Sequence, residues 1–238
     1  MPQALHLAAI VSLIAAALCA GWIAWDERKH PQKMWIMNVV WPLCALFGHV
    51  LVLGFYLWVG RQTSDGSDNP QGNGGGVKSS YPVSVAKGAL HCGSGCTLGD
   101  IIAEWVAFFV PAVAIAFGWQ WLFSEKIFAV WVLDLLLAFG FGIAFQYFAI
   151  KPMRDVSRSE ALWLAAKADV ASLLSWQVGM YGFMAIAHFW LFPVVIGQEL
   201  STNTVEFWFM MQIAMLFGFT TAYPVNWWLI RAGVKEKM

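Results

Sequence analysis

The chain has 238 residues, 60% of them hydrophobic and only 12% charged, with 14 Lys and Arg against 14 Asp and Glu. A water-soluble domain carries about a quarter charged residues, so most of this surface does not face water. The neutral balance argues against a nucleic-acid partner, and four cysteines in 238 residues make no disulfide framework.

Six stretches reach the roughly 20 apolar residues a spanning helix needs, at about 4–25, 34–60, 98–123, 126–150, 170–196 and 205–230. The expected fold class is therefore an all-α membrane protein, a bundle of about six transmembrane helices in a lipid bilayer. The 15 Trp and 18 Phe suit lipid-facing surfaces and interfacial belts. The first stretch has no Lys or Arg before its apolar run, and Leu18 stands where a signal-peptide cut needs a small residue. It reads as a retained helix. Cys19 and Cys44 fall inside apolar spans, where a lone Cys is a small packing residue.

Lys and Arg in the loops set the orientation. With the N-terminus cytoplasmic, 10 of them fall inside and 4 outside, so both termini are expected in the cytoplasm of a bacterial inner membrane. The chain divides into two helices over 1–60, a linker at 61–80, and the remaining four-helix membrane domain at 81–238. The linker is rich in Gly, Ser, Asp and Asn and reads as a flexible cytoplasmic tether. Pro152 ends the fourth helix, and Leu162, Trp163 and Lys167 suggest a short interfacial helix before the fifth.

The segment His91-Cys92-Gly93-Ser94-Gly95-Cys96 carries the most chemistry. Its glycines suit a tight turn that would gather two thiols and an imidazole on the cytoplasmic side. Soft thiolates select Cu(I) or Zn(II), so His91, Cys92 and Cys96 are the expected metal ligands. Three ligands are one short of a closed zinc site; Asp100, water, a second subunit or the substrate would complete it. Thr97 resembles a helix N-cap with Asp100 three residues on, which would set Cys96 at a helix start and favour its thiolate.

An ionisable side chain at bilayer depth is a functional candidate by default. Asp100 and Glu104 are four residues apart and continue the line from Cys96 along one helix face. On the fifth helix, Asp169, Trp176, Gln177, Met180, Met184 and His188 share one face, which should point into the bundle. Asp134 lies in the fourth helix, and His49 alone stays unassigned. His49 and His188 would differ in depth by roughly 10 Å, which disfavours haem.

The run from His91 through Cys96-Thr97-Leu98-Gly99-Asp100 to Trp105 resembles the signature of an uncharacterised bacterial membrane-protein family, a domain of unknown function. Lys151-Pro152-Met153-Arg154 and Trp176 to Tyr181 resemble its later motifs. The resemblance covers roughly residue 81 to the C-terminus and implies a membrane fold without an activity.

The leading expectation is a metal-handling membrane protein, a transporter, sensor or assembly factor for Cu or Zn. His91, Cys92 and Cys96 would form its entrance, and Asp100, Glu104, Asp134, Gln177, Met180, Met184 and His188 its membrane pathway. A homo-oligomer or a metal-handling partner fits that role. The alternatives are a membrane thiol oxidoreductase or sulfur carrier using Cys92 and Cys96, and a structural subunit without its own chemistry. No hydrolase or nucleotide-binding pattern stands in the sequence, and enzymatic activity is left open.

Overall fold

The computed structural model describes residues 1–32, 34–61, 80–151 and 157–235. Its elements are α1 (Gln3–Asp26), α2 (Met37–Phe55, widened to a π-helical turn over Tyr56–Gly60), α3 (Tyr81–Phe109), α4 (Pro111–Ala116), α5 (Lys126–Ile150), α6 (Arg158–Ile186, π-helical from Ala187 to Ile196) and α7 (Val205–Arg231). Among the described residues there is no strand beyond one isolated bridge, between Trp119 and Phe123. The chain is an all-helical, multi-pass membrane protein: five helices are long and apolar enough to cross a bilayer, namely α1, α2, α5, α6 and α7.

Local signals explain several boundaries. Ser157 caps α6 by accepting from the Glu160 N–H at 3.2 Å, and Thr204 caps α7 by accepting from Phe207 at 3.3 Å. Each helix carries a glutamate in its first turn, and α7 an arginine in its last, as the helix dipole favours. Pro111 separates α3 from α4.

The structure departs from the six-span expectation at α2 and in the bounds of α3. Residues 34–60 are long enough to cross, yet α2 folds back on itself at His49, whose φ of 27° and ψ of −110° break the helix. Trp41 and Tyr56 would be about 22 Å apart on a straight helix; their rings pack edge-on at 5.6 Å. Gln32 donates to the Gly60 carbonyl at 3.3 Å, and Tyr56 donates to Asp26 at 2.9 Å. α2 is therefore a re-entrant hairpin that enters and leaves at the C-terminal end of α1. Gln212 of α7 donates to the Leu46 carbonyl near the tip at 2.8 Å and accepts from Ser12 of α1 at 2.7 Å. Backbone acceptors freed by a break at bilayer depth require partners of this kind.

The third helix differs as well. It starts at Tyr81, not near Leu98, and ends before Pro111. Its 29 residues reach about 43 Å, enough to cross. Too polar to count among the apolar spans, it lies inside the bundle with 19 of its residues buried. α6 starts at Arg158, so the expected interfacial helix is the first part of that span. Most of the expected linker at 61–80, and Pro152, lie outside the described residues.

Hydrogen bonds sort the helix ends. His6 meets Glu206 at 2.6 Å and Thr202 donates to Glu104 at 2.8 Å, which joins the start of α1, the end of α3 and the start of α7. Tyr81 donates to the Trp227 carbonyl at 2.8 Å, which joins the start of α3 to the end of α7. The start of α1 and the end of α7 thus lie at opposite ends of the bundle. This corrects the expectation that both termini share a side, and the hairpin is the reason. Nine of the ten described Lys and Arg (28, 29, 61, 87, 151, 158, 167, 231 and 235) belong to the half where α2 is rooted, and Lys126 alone to the other.

In a cysteine-free background, Arg28→Cys and Arg61→Cys should react with an impermeant maleimide from one side of the membrane, and Ser124→Cys from the other. Labelling of 28 and 61 from opposite sides would restore a straight α2.

Candidate cation site

The interior of the bundle is set by two glycines of α3. A Cβ on Gly95 would lie 2.9 Å from the Gly142 nitrogen, and one on Gly99 would lie 2.8 Å from the Ala138 nitrogen. α3 and α5 therefore touch backbone to backbone, as small residues allow in membrane helices. The same contact brings Asp134 of α5 against α3.

The His-Cys segment forms no loop. His91, Cys92 and Cys96 sit within α3 and are fully buried. Thr97 does not cap a helix start; its hydroxyl donates to the Gly93 carbonyl one turn back, at 2.8 Å. The helix-start argument for a Cys96 thiolate therefore falls away. Successive helical residues diverge by about 100°, so His91 and Cys92 face different neighbours. The His91 ring packs edge-on to Phe145 at 6.4 Å. Cys92 touches Cys96 one turn along and Asp169 of α6. Among the described residues, no three His, Cys, Asp or Glu side chains are grouped so as to hold a metal ion.

The acids are gathered instead. Asp134 Oδ1 lies against Gly99, where a Cβ would come within 3.0 Å of it, and so beside Asp100, with Cys96 one turn earlier on α3. Asp134 Oδ2 accepts from the Tyr181 hydroxyl at 2.6 Å and from Gln177 Nε2 at 3.2 Å. No other group donates to Asp100 Oδ2, Asp134 Oδ1 or Gln177 Oε1, all of them buried. Acceptor oxygens buried without a donor in this way call for a proton or another cation.

This centre belongs to a longer line. Cys92, Cys96, Asp100 and Glu104 recur every fourth residue, about 6 Å apart along one face of α3. Beyond Glu104 lies a cavity of about 230 Å³ lined by Lys126, His188, Ser201 and Thr202. Beyond Cys92 and Asp169, Asn226 donates to Ser172 at 2.7 Å and accepts from Lys235 Nζ at 2.8 Å. Lys235 also donates to the Gly88 carbonyl at 3.1 Å, one turn before Cys92. Polar groups therefore span the bundle from the Lys126 end to the basic end.

The α6 stripe faces inward as its periodicity predicts: Asp169, Trp176, Gln177, Met180 and Met184 are buried. Met180 and Met184 lie in the main apolar core with Trp176 and Met215. His188 lines the cavity beyond Glu104. Tyr181 and Thr202, which hold the two acids, were not anticipated. Tyr181 stands one helical turn after Gln177, a spacing that could have revealed it; Thr202 lies in a loop and carries no such signal.

Residues 83–235 match the family model for a domain of unknown function, DUF4396. The chain belongs to this family. Its domain takes in nearly all of α3 and everything to the end of α7, so the whole acid and thiol line falls within it, while α1 and the hairpin stand outside. No curated protein and no solved structure matches the chain.

Gly95→Ala and Gly99→Ala should each cost about 1–3 kcal/mol by forcing α3 and α5 apart. Gly140→Ala, with open space around its Cβ, should leave the thermal midpoint unchanged. Equal midpoints in all three would refute the tight contact.

Proposed function

We propose that this protein carries a cation through the membrane along the face of α3, past the buried Asp100, Asp134 and Cys96, which line the path one after another and do not close around a single ion. The observation that supports this is the set of buried acids Asp100, Glu104 and Asp134, with Asp134 held by Tyr181 and Gln177 and with carboxyl and amide oxygens to which no group donates. A mixed thiolate and carboxylate set suits the borderline ion Zn(II) better than Cu(I), which prefers thiolates and thioethers. His91 leaves the ligand set expected from the sequence, because its ring faces Phe145. Cys92 and Asp169 form the next station toward the basic end, and Glu104 with Thr202 the opposite mouth. Metal binding here competes with protons, since ligating carboxylates must be deprotonated.

The concentration of Lys and Arg supports a cytoplasmic assignment for the end that holds Arg28, Arg61, Lys151 and Arg231. The start of α1 and the Glu104 mouth then face outward. A bacterial inner membrane remains the proposed location. The contact between Cys92 and Cys96 favours a second reading, thiol or sulfur chemistry within the same bundle.

Zinc bound by the purified protein, measured by titration calorimetry, should fall in Asp100→Asn, Asp134→Asn and Cys96→Ser and persist in His91→Gln. Unchanged binding in the first three, with folding verified by thermal midpoint, would overturn the reading. Rapid alkylation or oxidation of Cys92 and Cys96 without zinc binding would favour the second.

A further inference from the structure

The outer mouth of the bundle holds both signs of charge without joining them. The cavity of about 230 Å³ there is lined by Glu104 of α3, Lys126 at the start of α5, His188 beyond α6 and Ser201 in the loop before α7. Glu104 Oε2 accepts from the Thr202 hydroxyl at 2.8 Å, and Oε1 is not sealed in the way the unpartnered oxygens of Asp100 and Asp134 are. Among the described residues Lys126 forms no ion pair, with Glu104 or with any other acid. Its ammonium stands 5.5 Å from the centre of the Trp119 ring. The Ser201 hydroxyl and the His188 ring nitrogens have no hydrogen-bond partner among the described residues either. The rest of the wall is buried and apolar: Ile127, Val130, Leu200 and Phe207.

We infer that this cavity binds a free α-amino acid with an aliphatic side chain, its carboxylate at Lys126 and Ser201, its amino group at Glu104 and its side chain among Val130, Leu200 and Phe207. Opposite charges that face one low-dielectric space without meeting are bridged best by a molecule that carries both. A bare metal ion drawn to Glu104 is repelled by Lys126, whereas a zwitterion meets a complementary group at each end. The Lys126 ammonium only donates, as a carboxylate requires, and a Glu104 oxygen accepts from an amino group whether or not the acid carries a proton. A cavity of about 150 Å³ holds the six carbons of benzene, so about 230 Å³ holds roughly nine heavy atoms, the number in leucine. The inference goes beyond the cation path and does not rest on it, since none of these contacts needs a metal ion.

Equilibrium dialysis of the purified full-length protein in detergent against radiolabelled L-leucine, in buffer freed of metal on a chelating resin, tests it. Saturable binding is expected, weakened about tenfold or more in Lys126→Gln, as when one partner of a close charge pair is removed. Lys126 is half-buried in the first turn of α5, where a cation opposes the helix dipole, so its replacement should leave the thermal midpoint unchanged. Arg158→Gln, at an exposed position on the opposite end of the bundle, should bind leucine as the parent protein does. Isocaproate, which lacks the amino group, and isoamylamine, which lacks the carboxylate, should compete about tenfold or more weakly than unlabelled leucine. No saturable binding, unchanged binding in Lys126→Gln, or competition by either analogue equal to that of leucine would overturn the inference. Because no metal is present, absence of leucine binding leaves the cation path standing, and absence of zinc transport leaves the amino-acid site standing.

Discussion

A helix carrying His91, Cys92, Cys96, Asp100 and Glu104 cannot face lipid. Each buried polar group without a partner costs on the order of 1–3 kcal/mol, and an ionised one several. The architecture follows from enclosing that helix. α5 supplies Asp134 and the small residues that let its backbone touch α3 at Gly95 and Gly99. α6 supplies Gln177, Tyr181 and Asp169, and α7 supplies Asn226. The more apolar α1 shows lipid Leu7, Val11, Ile14 and Leu18, which are exposed at helical spacing.

The enclosed polar groups form one stripe because α3 repeats them every four residues, and a stripe is what a migrating cation needs. Each of these groups lies about 6 Å from the next, which on the proposed reading lets a cation exchange ligands without meeting hydrocarbon. Asp134 persists at this depth because Tyr181 and Gln177 donate to it. On the proposed reading, the same donors hold the acid in place while a metal ion passes.

Apolar runs were readable wherever a helix is simply a helix: α1, α5 and α7 start and end within a few residues of their expected bounds. The face of α3 from Cys96 to Glu104 and the inward face of α6 were legible from spacing alone. Two features were not. Gly93 and Gly95 suggested a tight turn, but in a membrane bundle a glycine equally marks where two backbones touch, and only the partner helix distinguishes the two. His49 turns the chain with a positive φ beside Gly48, but a single glycine is common in straight membrane helices and this one stands inside a run long enough to cross. Missing that one turn separated Arg28 and Lys29 from Arg61, which shares their end of the bundle, because each crossing reverses the side of what it separates.

The account stands most directly on cation movement. Purified protein in sealed proteoliposomes, loaded with a zinc indicator and given an inward zinc gradient, should show uptake above empty vesicles, accompanied by counter-movement of protons and lost in Asp134→Asn. Zinc entry equal to that of empty vesicles, in protein whose thermal midpoint shows it folded, would contradict the proposed path along α3.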